Sequence, residues 1–192
     1  MFASLLSRKS APAKPISMKA RQAPLIATYA ADPDSGWIVD SATTSPDDVS
    51  PDQPIHSQVV FGTGIPASQP IGIHTAVGGN CDYPNPGELL SAALAGCLDT
   101  TVRVIANRLG LPLTHLKVTV DAHVDVRGTL RVDKTVPVGF QAVDVKVEIK
   151  SVPGVTEEQL AMLLKAAEHS CVVLQTLRNP PEVRFAPTTT TN

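Results

Sequence analysis

A chain of 192 residues with a formal charge of −2 has the length of one domain with tails, and gives no electrostatic reason to expect nucleic acid or a strongly anionic surface as a partner. No uninterrupted apolar run approaches the ~20 residues of a membrane span, so no membrane partner is expected. Cys81, Cys97 and Cys171 form no CxxC pair and no disulfide framework. They fit a reducing compartment such as the cytoplasm, where a thiol is kept for chemistry or packing.

Residues 1–21 carry Arg8, Lys9, Lys14, Lys19 and Arg21 and no acid, which predicts a basic flexible tail before a single domain over 22–186, with a disordered polar tail at 187–192. From Gln22 to Val102 there is no lysine or arginine. Within that span Pro24–Ala30 and Trp37–Val39 read as strands, followed by a Pro/Asp/Ser-rich connection at 45–54. Ser57–Phe61 and Ile71–Val77 are further β-like runs, and Gly78–Pro84 is a loop.

Asn85-Pro86-Gly87-Glu88 opens a long helix. Asn85 can cap the first turn, Pro86 suits the first helical position, and Glu88 can reach back to the cap's backbone N–H. From Leu89 to Leu98 the only polar side chains are Ser91 and the Cys97 thiol, so the segment is apolar nearly all round and needs cover on every side. The pattern runs on through Val102, Val104, Ile105 and Leu109 and stops at Gly110 with Pro112 close behind.

Leu116, Val118, Val120, Ala122, Val124 and Val126 then alternate with polar residues, a half-buried strand. A second strand is expected over 138–150, where the apolar set slips phase between Ala142 and Val143 as a β-bulge would require. The connection at 128–137 is too short for a crossover helix, so the two strands should be antiparallel. Thr156-Glu157-Glu158-Gln159 carries a capping-box pattern, and Leu160, Leu163, Leu164, Ala167, Cys171 and Leu174 share one helical stripe. Ser170 is placed to cap a fresh helix from Cys171, and a break there would aim backbone N–H groups at a sulfur. Val183–Phe185 reads as a last strand.

Cys97 lies among Ala93, Gly96, Thr100 and Thr101, small enough to let a second helix bring Cys171 close. Both thiols are consistent with plain packing, since free cysteine is among the most buried residue types. The alternative is an attacking and resolving pair, in which one thiolate opens a peroxide bond, becomes a sulfenic acid and condenses with its neighbour. Cys81, in a loop, has no partner in view. No two candidate ligands share a usual zinc spacing, and neither a metal nor a cofactor is called for.

Pro86-Gly87-Glu88-Leu89-Leu90-Ser91-Ala92-Ala93-Leu94-Ala95-Gly96-Cys97 resembles the first-cysteine helix of the OsmC/Ohr family, the osmotically inducible and organic hydroperoxide resistance proteins. Glu168-His169-Ser170-Cys171-Val172-Val173-Leu174-Gln175-Thr176-Leu177-Arg178 resembles its second-cysteine segment, and Asp125-Val126-Arg127-Gly128 a strand-end signature of the OsmC-like branch. The resemblance covers roughly residues 57–186. It implies an α+β fold built as an intertwined homodimer, with antiparallel sheets around two long central cysteine-bearing helices. It also implies reduction of organic hydroperoxides by Cys97 and Cys171, with a dithiol such as dihydrolipoamide restoring the thiols.

Two departures stand out. Gly87 occupies the position of the glutamate that follows the proline in the peroxidase branch. Glu88 is one residue on, about 100° further round the helix; it is carried as a candidate site residue and as a cap. The arginine that the branch brings to its thiolate has no counterpart between residues 22 and 102. Arg127 is the candidate replacement, with an ion pair to Asp125 or Asp121 as its other role, and His74 and His169 are the remaining cations. The competing expectation is an inactive or weakly active dimer of the same fold that binds a small hydrophobic ligand in an apolar groove.

Overall fold

The computed structural model describes residues 16–62 and 67–190. The chain divides between Gly36 and Trp37 into two compact units. In the first, α1 (Met18–Ala31) is capped by the Ser17 hydroxyl, which accepts from the Ala20 amide, and a short helical turn follows at Pro33–Gly36. Pro24–Ala30 is therefore helical, not extended, and α1 crosses the boundary placed at residues 21 and 22. Residues 1–15 of the expected basic tail lie outside the described residues.

The second unit opens with a three-stranded antiparallel sheet, β1 (Ala42–Thr43), β2 (Ser57–Phe61) and β3 (Ser68–Ile71), paired in chain order. The strand expected over Ile71–Val77 ends at Ile71, and Thr75–Val77 is a helical turn capped by the His74 ring nitrogen. Two polar contacts tie this sheet to the loop before the long helix. His56 Nε2 lies 2.9 Å from an Asp82 carboxylate oxygen, and the Gly72 amide donates to the Pro84 carbonyl at 3.1 Å.

The long helix α2 (Pro86–Leu109) starts and stops on the residues read from the sequence. Asn85 Oδ1 accepts from the Gly87 and Glu88 amides, Glu88 accepts from the Asn85 amide, and Gly110 closes the helix in the left-handed conformation at φ 68°. An 18-residue window of α2 reaches a mean hydropathy of 1.5, so by length and composition alone this helix is long and apolar enough to cross a membrane. Leu94, Leu98, Val102 and Ala106 form a buried stripe on it and join Leu163, Ala167 and Cys171 in the core.

A two-stranded antiparallel sheet, β4 (Leu113–His123) and β5 (Ala142–Ser151), packs on that stripe with Leu116, Val118, Val120, Val147 and Ile149. Pairing runs without interruption from His115 opposite Lys150 to His123 opposite Ala142, and its one irregularity lies between Leu113 and His115. The expected bulge at 142–143 is thus absent: the phase slip marks where β5 begins. The alternation past His123 ends in a single helical turn, α3 (Val126–Thr129), so Val124 and Val126 lie outside the strand. Next come α4 (Glu157–Ser170), whose capping box pairs Thr156 with Gln159, and α5 (Val172–Arg178). Val183–Phe185 forms no strand, nor does Trp37–Val39.

Candidate active site

Cys97 lies near the middle of α2, half-buried, while Cys171 is fully buried where α4 gives way to α5. Cys171 is extended (φ −75°, ψ 108°): its amide still closes α4 on the Ala167 carbonyl at 2.9 Å, and its carbonyl opens α5 by accepting from the Gln175 amide at 2.9 Å. The cap position is therefore Cys171 and not Ser170, and no side chain caps α5. Backbone N–H groups at this break are free to find another acceptor.

They find sulfur. Burial pushes the Cys97 thiol up, but hydrogen bonds from the Val173 amide, the Cys171 thiol, the Val172 amide and the Thr101 hydroxyl outweigh it, and its pKa falls below the ordinary thiol value. The Thr101 hydroxyl also reaches the Cys97 carbonyl at 2.7 Å, so its one proton serves the sulfur only when turned from that oxygen. Cys171 moves the other way. Burial raises its pKa, the Leu174 and Val173 amides offset part of that, and the neighbouring Cys97 raises it further. One thiol of a neighbouring pair is thus readied to ionise while the other is held toward its protonated form.

A groove of about 830 Å³ is lined by Leu94, Leu98, Val145 and Leu174 with Lys165, Glu168 and Arg178 as its charged groups, and neither cysteine lines it. Leu94 and Leu98 flank Cys97 along α2, and Leu174 follows Cys171 on α5. Among the described residues no group of three or more His, Cys, Asp or Glu side chains is placed to hold a metal ion.

A family model described as OsmC-like protein matches residues 79–186, a span that takes in both cysteine segments and the strands between them. The chain belongs to the OsmC-like family. Its fold is that of solved OsmC-like structures. An organic hydroperoxide resistance protein from Elizabethkingia anophelis is 20% identical, with 75% of this chain and 91% of that chain covered, at a TM-score of 0.53. An OsmC-like protein of unknown function from Vibrio cholerae is 12% identical, with coverage of 73% and 94% and a TM-score of 0.58. For an OsmC-like protein from Mycoplasma pneumoniae the values are 13%, 74%, 89% and 0.57. No curated protein matches the chain.

Within this OsmC-like chain the other two candidate residues are held elsewhere. Glu88 is engaged by the Asn85 amide and by Asn85 Nδ2, both at 2.9 Å, three residues into α2. Nine residues separate it from Cys97, about 13 Å along a helix. At Gly87, a Cβ would come within 2.9 Å of Phe140 Cζ, so an aromatic ring stands where the peroxidase branch has its glutamate. Arg127 Nε reaches the Asp125 carboxylate at 2.9 and 3.0 Å, while the same carboxylate caps α3 through the Arg127 amide. Gly128 is buried, and a Cβ on it would lie 2.5 Å from the Pro137 carbonyl oxygen. The Asp-Val-Arg-Gly signature is thus a capped turn that needs glycine for close backbone packing. His74 caps the turn at Thr75–Val77. The donors that sequence reading sought among cations are supplied by backbone amides and Thr101; the break expected near Ser170 was the one signal that pointed to them.

Proposed function

We propose that this protein reduces organic hydroperoxides through Cys97 and Cys171. The Cys97 thiolate attacks the terminal peroxide oxygen, the O–O bond breaks, and the departing alkoxide takes a proton to leave as the alcohol. Cys97 is then a sulfenic acid. The Cys171 sulfur displaces its hydroxyl as water, forming a disulfide, and an external dithiol such as dihydrolipoamide exchanges with that disulfide, restoring two thiols and becoming oxidised itself.

What supports this reading is that the two neighbouring thiols bear on each other's ionisation in opposite directions, Cys171 helping to lower Cys97 and Cys97 helping to raise Cys171. An attacking thiol benefits from ionisation, and the resolving thiol benefits from staying protonated until the sulfenic acid forms. A working homodimer belongs to the same proposal. Ala92, Ala93, Gly96 and Thr100 form an exposed small-residue face on α2, and an apolar helix left open on one side calls for a second copy.

The test is consumption of cumene hydroperoxide with dihydrolipoamide by the wild type, Cys97→Ser and Cys171→Ser. Turnover should vanish in both variants, and dimedone should trap a sulfenic acid on Cys97 only in Cys171→Ser. The apolar groove favours a second reading, a dimer that binds a hydrophobic ligand without turning it over. Wild-type activity equal to that of buffer would overturn the peroxidase and leave that reading standing.

A further inference from the structure

The chain bends by 64° between α4 and α5, at the residue that carries the buried thiol. In a continuous helix the Val172 amide would donate to the Glu168 carbonyl four residues back. Here that amide bears on the Cys97 sulfur instead, helping to hold its pKa down. The Glu168 carbonyl is not left bare: Gln175 Nε2 donates to it at 2.9 Å. The Glu168 side chain in turn holds Arg178, whose Nη2 lies 2.7 Å from Oε1. Two side chains from successive turns of α5 are therefore tied to a single residue in the last turn of α4, across the bend.

We propose that Glu168, Gln175 and Arg178 form a clamp that fixes this bend and thereby holds the Val172 and Val173 amides on the Cys97 sulfur. Gln175 substitutes for the amide that the sulfur has taken, so the helix can break without an unsatisfied carbonyl. The Glu168–Arg178 pair sets the direction in which α5 leaves. Both of its side chains are 52% exposed. A pair so open to water adds little to stability, so its removal should leave the fold intact while loosening the bend. These are positioning residues: none of them touches Cys97, and each acts through the amides of α5. The clamp rests on the reading of Cys97 as the attacking thiol only for its consequence in catalysis.

The charges on the packed elements set up a clean test. Lys165 and Glu168 are on α4 and Arg178 is on α5, while Asp99 and Arg103 on α2 are paired with each other at 2.6 Å. If Glu168 and Arg178 acted on the thiolate by charge alone, Arg178→Met would raise the Cys97 pKa and Glu168→Gln would lower it. A clamp raises it in both, and also in the uncharged change Gln175→Leu.

The readout is the pH profile of Cys97 alkylation by iodoacetamide in the full chain, followed peptide by peptide by mass spectrometry. It is independent of peroxide turnover, so it can fail or succeed whatever becomes of the peroxidase reading. A rise of one pH unit in the midpoint slows labelling well below the midpoint about tenfold, and a rise of about that size is expected for Gln175→Leu. Smaller rises are expected for Glu168→Gln and Arg178→Met, with recovery in the exchanged pair Glu168→Arg/Arg178→Glu. A midpoint that stays put in Gln175→Leu, or falls in Glu168→Gln, overturns the clamp. Circular dichroism on each variant confirms that the comparison is between folded proteins.

Discussion

Burial alone would move Cys97 away from reactivity, because withdrawing water penalises a thiolate more than a thiol. The donors from Val172, Val173, Cys171 and Thr101 reverse that, with no lysine, arginine or histidine among the groups that bear most on the sulfur. The two thiols should therefore titrate in a fixed order. Peptide-resolved alkylation across pH 5 to 10 should give Cys97 a midpoint below the ordinary value of about 8.5 and Cys171 one above it. The signs also carry to stability. Cys97, depressed in the fold, contributes stability present above its unfolded value and lost as pH falls through its folded one; Cys171, raised in the fold, contributes stability present below its unfolded value and lost as pH rises through its folded one. Equal midpoints would remove the basis for assigning separate roles. The two sulfurs were singled out in the sequence by the resemblance of their segments to the OsmC/Ohr cysteine segments, since the residues alone allowed plain packing as well. Their donors were not, since a backbone N–H has no letter of its own and is freed only where a helix breaks. Glu88 and Arg127 also had a local role legible in the sequence: a carboxylate near a helix start and a guanidinium beside an aspartate have partners at hand, and these are the partners the structure gives them.

The elements that sequence reading placed well are those whose termination is written in side chains. Asn85 with Glu88, Thr156 with Gln159, and Gly110 at the end of α2 each satisfy helix-end groups, and the structure uses each that way. Replacing Asn85 by alanine removes the acceptor for two amides and should cost about 1 kcal/mol in urea unfolding. Leu163→Ala, at a residue with no exposure, should cost about 3 kcal/mol by leaving a cavity against α2. Gly128→Ala belongs with these: with the Pro137 and Val136 carbonyl oxygens within 2.8 Å of the new Cβ, overpacking against backbone should cost roughly 1–3 kcal/mol. A Gly128→Ala variant as stable as the wild type would overturn this account of the turn. Strands were harder to place. Trp37–Val39 and Val183–Phe185 have β-like composition, yet a strand exists only where another pairs with it, and neither segment has such a partner among the described residues. Pro24–Ala30 fails differently: Pro24 sits within a helix already begun at Met18 and capped by Ser17, so a breaker inside the run concealed the start before it.

At the scale of the whole molecule, the helix that organises the chain is covered by its own chain along one stripe. Leu94, Leu98, Val102 and Ala106 are buried, while Ala92, Ala93, Gly96 and Thr100 on another face are exposed. The absence of bulky side chains there is what close approach of a second helix requires, and the homodimer proposed above would set that contact beside Cys97. Gly96→Arg separates assembly from folding cleanly. Nothing lies within 4 Å of a Cβ at Gly96, so the isolated chain can accept the side chain without strain. Arginine also favours a helix interior over glycine by roughly 0.8 kcal/mol, so a monomer should gain stability if anything changes. A homodimer packed through this face has no room for it. Sedimentation should give the wild type twice the chain's 20.2 kDa and the variant a species close to one chain, with a lower and concentration-independent melting temperature. A wild type that sediments as one chain, or a variant that still sediments as two, would mean that α2 is completed by something other than its own copy.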